Sequence, residues 1–534
     1  SWHLSYWGAV VGIAMSVSAL SEKCAIAQIT PDSTLPVNTN VTQDGNTFNI
    51  TGGTQAGANL FHSFQEFSVL TGNSAFFGND ANIQNIITRV TGSSRSNIDG
   101  LIRANGVANL FVINPNGIIF GRNASLNIGG SFVATTANAI GFGNQGFFSA
   151  SIPNNPELLV VNPSALLFNQ IVAAPIENKS ASLSVENNRS LLAVGGDVSM
   201  DGGSLNALGG RVELGGLAGE GTVALNANSN NFSLNFPENV ARANVSLTNG
   251  AEVNVAAGGG GSIAINAEDI DVLGKSSLRA GIRPLAGTDD AQAGDVTLSA
   301  KGTLRIENSY IYNAVFDSGN GGNLRVDAGK LIIQDGVLAT ATISSGKAGD
   351  LVVNASDSVE LTGSSSSNGT IDINVPINFF GFPLNFAVPL PIGLFSASID
   401  AQNLPNISPF VRLFLPTASG NAGNMTIDTG RLIVSNGAGV SVGSNTTGGT
   451  GNLTVKAKDI ELNNSSMYNV VFGSGNGGNL LVDTEKLIVK DGVVGTATFS
   501  GGDAGDLIVK ASDSVKLTGD LSSNATVAIN IPGN

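Results

Sequence analysis

The residues able to do chemistry are few, and their spacing says little for catalysis. The acidic candidates are Glu268, Asp269 and Asp271 in "EDIDV", with Asp289 and Asp290 in a Gly-containing loop. Carboxylates clustered on one face of a sheet could hydrolyse a glycosidic bond, which needs a general acid beside a base or nucleophile. However, "EDIDV" at 268–272 is echoed by "KDIEL" at 458–462, so a repeated strand entrance accounts for it. Asp289 and Asp290 offer too few oxygen ligands to specify Ca2+. No Gly-Gly-x-Gly-x-Asp array, which would build a Ca2+ roll, is present. His62 sits in "LFHSFQEF" beside Phe61 and Phe64 and reads as a hydrogen-bonding core residue. Glu66 could pair with it, but no nucleophile stands at a usable spacing.

The remaining reactive side chains fall together. His3, Cys24, Trp2 and Trp7 all lie within residues 1–27. There, Trp7 to Leu20 is an apolar run too short for a membrane span, followed by the small-x-small site Ala25-Ile26-Ala27. Without a basic start, this is expected to be a clipped signal peptide, cut to leave Gln28 first. Past that cut the chain has no Cys and a single His, which excludes disulfides, Cys nucleophiles and Cys/His zinc sites. The expectation is a protein that is not an enzyme and holds no metal or cofactor. A secreted polysaccharide-degrading enzyme is the competing reading, testable by glycan depolymerisation.

Composition explains which elements must carry any site. The chain has 534 residues, 69 of them Gly, and 12% charged residues, against roughly 25% in an average domain. Abundant Gly with few charges suits short strands joined by tight turns. The formal net charge of -15 argues against a nucleic-acid partner.

Internal repeats sharpen this. "SYIYNAVFDSGNGGNLRVD" at 309–327 returns as "SSMYNVVFGSGNGGNLLVD" at 465–483, an offset of 156 residues. A shorter period of 27 or 28 residues lies inside, marked by Gly, Asn or Asp, and an alternating apolar strand. It begins at Gly294, Gly322 and Gly349, and again at Gly423, Gly451, Gly478 and Gly505. Each unit is too small to bury a core alone, so the units must stack with like strands in parallel. The predicted fold is all-β, a parallel β-helix. Val326, Val353, Val455, Val482 and Val509 share one inward position. The repeat glycines are expected at positive-φ corners, with Asn forming inter-rung side-chain ladders. Uninterrupted coiling predicts about 19 rungs and a rod of about 90 Å.

One segment interrupts the period. Residues 377–416 contain an apolar, Pro-rich insertion, with Phe379, Phe380, Phe382, Phe386 and Phe395. Two readings stand: a flap packed along the rod, or an exposed patch that binds a partner. Its prolines make a spanning helix unfavourable, so no stable membrane insertion is expected.

The run "NLFVINPNGIIFG" at 109–121 sets a turn between two wholly apolar strands. Asn114, Pro115 and Gly117 match type I preferences for an Asx bond, a fixed φ and a permissive exit. Together with "TPDSTLPVNTNV", "LFHSFQEFSV", "NIDGLIRANGVANLFVINPNGIIFG", "GGSFVATTAN" and "NPSALLF", it resembles the amino-terminal secretion domain of filamentous-haemagglutinin-like exoproteins. The motifs are similar to those of cyanobacterial members.

The resemblance implies a right-handed parallel β-helix whose extra-helical strands cap the amino-terminal end. It also implies two-partner secretion, in which a dedicated outer-membrane transporter carries the chain out after the signal peptide has crossed the inner membrane. The secretion motif carries over to Asn114, Pro115, Asn116, Gly117 and Ile118. His62, Phe64, Gln65, Phe67, Asn162 and Pro163 are expected to support the domain structurally. Many members also carry an upstream Asn-Pro-Asn-Leu, yet no Asn-Pro precedes residue 114 here.

The expected organisation is a signal peptide at 1–27, a secretion-domain core at 28–172, continuing β-helix at 173–262 and a repeat β-helix at 263–534. The last residues, "INIPGN", hold no run of barrel strands, which disfavours self-transport. The expected product is an extracellular or cell-surface rod. Adhesion to cell-surface or extracellular glycans, with carbohydrate-dependent haemagglutination, or a role in a surface matrix follows from the resemblance.

Overall fold

The computed structural model describes residues 29–228, 231–364, 370–379, 382–403, 412 and 416–519. The expected signal peptide at 1–27, Phe380 and the final "INIPGN" lie outside them. The described chain is built of strands and two short 3-10 turns.

Stacking follows from the strand register. One column runs through fourteen strands, from Asn59–Glu66 to Leu507–Thr518, each hydrogen-bonded in parallel to the next. Thirteen steps of ~4.8 Å give about 62 Å. This corrects the longer rod expected from uninterrupted coiling. The missing rungs are residues diverted into extra-helical strands and inserted loops.

Two strand patterns coexist, for one physical reason. In the repeats, Leu453–Asn463 alternates buried and solvent-facing residues, as a sheet wet on one side requires. In the amino-terminal rungs, Asn85–Val90 and Asn109–Ile113 are buried throughout. An antiparallel sheet made of Ala139–Gly141, Phe147–Ser149, Ala165–Phe168, Gly221–Asn228 and Asn231–Asn235 accompanies those rungs. Its Phe142, Phe148, Leu166 and Phe232 form a second core with Phe61, Ile87 and Phe111. Apolar runs without alternation are therefore strands covered on both faces. The first rung's other edge is met by Thr54–Ala56 and Thr30–Pro31, both antiparallel to Asn59–Glu66. A closed edge leaves no ladder open to unwanted pairing.

The repeat glycines do not turn positive-φ corners. At those corners stand Asn308, Asp335, Asn436, Asn464 and Asp491, with φ between 46° and 54°. The glycines are required by crowding. A Cβ on Gly349 would lie 1.9 Å from the Gly322 carbonyl oxygen, and one on Gly423 2.0 Å from that of Gly349. The following Asn or Asp forms a ladder, but to backbone: Asn323 Oδ1 accepts the Asp350 N–H at 3.0 Å, and Asn452 Oδ1 that of Asn479 at 2.9 Å. The inward valines behave as expected along the rungs: Val326, Val353, Val455 and Val482 are fully buried. Val509, on the last described strand, is 37% exposed.

The interruption also differs from expectation. Thr370–Phe379 and Phe382–Pro391 form an antiparallel hairpin, and Gly393–Ser398 then rejoins the stack in parallel with Val337–Thr342. The 377–416 segment is thus split by a rung strand. Phe395 belongs to that rung strand, not to the hairpin, and is fully buried. Phe379, Phe382 and Phe386 fall on the hairpin arms.

Candidate functional site

The turn after Asn109–Ile113 is held by its own first residue. The Asn114 carbonyl accepts the Gly117 N–H at 3.1 Å, closing the turn, and the Asn114 N–H donates to the Thr135 carbonyl at 3.0 Å. Its Oδ1 accepts the Asn116 N–H at 2.9 Å, the Asx bond expected from the residue types. Its Nδ2 donates to the Ser94 carbonyl and to Ser96 Oγ, both at 3.0 Å. Asn116 Nδ2 reaches the Gly92 carbonyl at 2.7 Å, and the Ile118 N–H donates to the Pro175 carbonyl at 3.2 Å. Gly117 has φ 116°, a region that disfavours any side chain, and a Cβ there would lie 3.2 Å from the Pro175 oxygen. The motif therefore ties its own rung to 92–96 on one side and to 135 and 175 on the other. Asn114, Pro115, Gly117 and Ile118 are buried, and only Asn116 is half-exposed. A completed corner shows a partner little of its sequence.

The aromatic strand, Asn59–Glu66, lies two rungs earlier. Phe64 and Phe67 pack in the interior with ring centroids 5.1 Å apart, and His62 lies 5.4 Å from Phe77. His62 is buried, and its Nδ1 lies 3.2 Å from Thr39 Oγ1. Burial pushes its imidazole down to about 3, so the ring is neutral at ordinary pH. Glu66 is not its partner; that carboxylate accepts from Ser94 Oγ. Gln65 points outward.

Asn162 and Pro163 sit where a loop is fastened to the rungs. Asn85 Nδ2 donates to Asn59 Oδ1 at 2.8 Å and to Asn162 Oδ1 at 3.1 Å. Asn109 Nδ2 donates in turn to Asn85 Oδ1 at 2.9 Å. Asn59 Nδ2 reaches the Leu159 and Val161 carbonyls. This buried Asn59–Asn85–Asn109 ladder was not singled out from sequence. Its signal is legible in retrospect as Asn before an apolar run in "ANLFH", "QNIIT" and "ANLFV".

Arg89 was also missed, and nothing in "IITRV" marks it. It is fully buried. Its Nε donates to Ser63 Oγ at 2.9 Å, Nη1 to the Ser149 carbonyl at 2.9 Å and Nη2 to Thr34 Oγ1 at 2.9 Å. The guanidinium carbon lies 4.2 Å from the Phe148 ring centroid. Desolvation lowers its pKa to about 10, opposed by the negative charge of Asp32, so it stays a cation. Burial tends to raise Asp32, but hydrogen bonds from Thr91, Thr34 and Ser63 outweigh it and hold the carboxyl below its ordinary value. One cation thus joins the amino-terminal segment, the first rungs and the antiparallel sheet.

The acidic candidates do not converge. Asp269 Oδ1 accepts the Thr303 N–H at 2.7 Å, the strand-entrance role expected from the repeat. Asp271 lies 3.8 Å from Arg305. Asp290 accepts from Thr288. Among the described residues, no group of three or more His, Cys, Asp or Glu could hold a metal ion.

Residues 27–272 match the family model of the TPS secretion domain. The structure is similar to the HMW1 secretion domain from Haemophilus influenzae, with a TM-score of 0.50 at 17% identity over 91% of this chain and 98% of that one. A filamentous hemagglutinin secretion domain also matches, with a TM-score of 0.29 at 16% identity over 63% of this chain and 100% of that one. Comparison with curated proteins gives no match. The parallel β-helix that carries the Asn-Pro-Asn-Gly-Ile corner thus includes, over residues 27–272, a TPS secretion domain.

Proposed function

We propose that residues 28–272 are recognised by a dedicated outer-membrane transporter, and that the exported rod serves as an adhesin or surface-matrix protein outside the cell. The carrying observation is the secretion domain itself, supported by a rod whose long repetitive flank suits multivalent contact with cell-surface or extracellular glycans. In this reading the Asn114–Ile118 motif acts chiefly as the corner that lets the domain close. Its burial supports that role: a transporter reading its sequence directly would have to meet it before the corner forms.

Co-expression with the transporter tests secretion. The protein reaches the medium only when the transporter is present; equal release without it refutes the proposal. Asn114→Ala, followed for both folding and secretion, separates the two roles of the turn. Secretion lost together with folding supports the corner, whereas secretion lost by a folded domain makes the motif a directly read label. Retained glycan or cell binding by the purified protein, without depolymerisation of a polysaccharide panel, supports the adhesin.

A further inference from the structure

The long strands of the two repeats share their inward residues but not their outward charges. Met425–Ser435, Leu453–Asn463, Leu480–Lys490 and Leu507–Thr518 pair in parallel, which stacks Asp428, Lys456, Asp483 and Lys510 in one exposed column. Beside that column each strand passes a small residue, and Thr429, Ala457 and Thr484 are buried. Two residues beyond the column stand Lys458 and Glu485, exposed on the same side. The charges flank a groove of about 420 Å3 that crosses four successive rungs. Three steps of ~4.8 Å make its floor about 14 Å long.

The matching charge of the first repeat is satisfied within the rod. Asp327, which stands 156 residues before Asp483, accepts from Arg325 Nε at 2.6 Å and from Asn354 Nδ2 at 2.8 Å. In the second repeat Leu481 and Lys510 stand where those two partners would be, and Glu485 replaces Gly329. Among the described residues, Lys458, Asp483, Glu485 and Lys510 have no ion-pair or side-chain hydrogen-bond partner, and Asp428 and Lys456 are 4.0 Å apart. Alternating sign between rungs avoids like-charge stacking. It also interleaves donor-only ammonium groups with acceptor-only carboxylates that are not spent on one another.

We propose that this groove binds an uncharged polysaccharide lying along the rod axis. The proposal rests on the adhesin reading and names its site and its class of ligand. A sugar hydroxyl both donates and accepts, so vicinal hydroxyls suit a lysine on one rung and a carboxylate on the next. Three lysines against three carboxylates leave the groove without net charge, which gives a polyanion no advantage there. The chain's overall charge of -15 repels one. The floor has room for about three sugar rings.

Affinity electrophoresis of the full chain tests it, with dextran, glucomannan, xyloglucan and galactan as neutral probes and polygalacturonate and heparin as acidic ones. Retardation is read against a polymer-free gel, which cancels the changed charge of each variant. At least one neutral polymer retards the protein. Lys456→Ala/Lys458→Ala and Asp483→Ala/Glu485→Ala each weaken that binding about tenfold, while Arg325→Ala/Asp327→Ala leaves it unchanged. Circular dichroism stays the same throughout, because these side chains lie outside the core. Binding that survives both groove variants overturns the proposal and leaves the adhesin reading standing. Retardation by the acidic polymers alone overturns the uncharged class of ligand. No retardation by any polymer refutes the proposal together with glycan adhesion.

Discussion

His62 offers a direct measure of how the amino-terminal rungs are held. The ring is buried against Phe77, with Thr39 as its side-chain hydrogen-bond partner, and burial lowers its pKa from 6.5 to about 3. The unfolded chain therefore takes up a proton below about pH 6.5 that the folded chain refuses until about pH 3. Stability from the neutral ring is complete above pH 6.5 and is lost as the pH falls from there toward 3. Each pH unit below about 6.5 costs about 1.4 kcal/mol, so by about pH 4.5 the loss is about 3 kcal/mol. His62→Asn removes the titration while keeping a side chain able to meet Thr39. Urea unfolding followed by circular dichroism, for wild type and variant at about pH 7 and about pH 4.5, gives the difference directly. Carboxylates such as Asp32 titrate in both proteins and cancel. The stability difference should move by about 3 kcal/mol against the wild type on acidification. Parallel pH profiles for the two proteins would refute the reasoning, because the ring would then accept its proton in the fold.

Three further outcomes follow from the packing. Arg89→Met leaves the Ser149 carbonyl and the Thr34 and Ser63 hydroxyls without their cation, costing about 3 kcal/mol; hydrogen exchange should rise in Phe147–Ser149 and stay unchanged in Leu453–Asn463. Gly349→Ala sets a Cβ against the Gly322 carbonyl 1.9 Å away, and forcing the rungs apart should cost about 3 kcal/mol in thermal or urea unfolding. Asn469 Oδ1 accepts from Thr450 Oγ1 at 2.5 Å, while the matching Asn313 Oδ1 is buried without a partner and Ala293 stands at the Thr450 position. Ala293→Ser should supply that donor and raise stability by about 1 kcal/mol, read as a higher urea midpoint.

Much of the fold was legible because a solenoid writes its period into its residues. Gly-Asn starts at 27- or 28-residue spacing, with alternating valines, are what a rung needs in order to repeat its contacts with the next. The same logic identified the 114–117 turn, since an Asx bond and a fixed φ are local properties. The reason for the glycines was not local. Whether Gly349 serves a positive φ or a close approach depends on where the Gly322 carbonyl lies, and only stacking sets that distance.

The sequence alone determined the all-β character, the rung period, the inward valines and the secretion-domain motifs. Tertiary structure decided how many residues leave the stack, why the early apolar runs lack alternation, and which polar groups close the domain. Arg89 shows the division most clearly. Its partners Thr34, Ser63 and Ser149 are up to 60 residues away in the chain. No pattern around residue 89 announces them, because a buried cation is satisfied by whatever the fold brings to it. Periodic contacts leave a periodic trace in sequence; contacts made once, between distant segments, leave none.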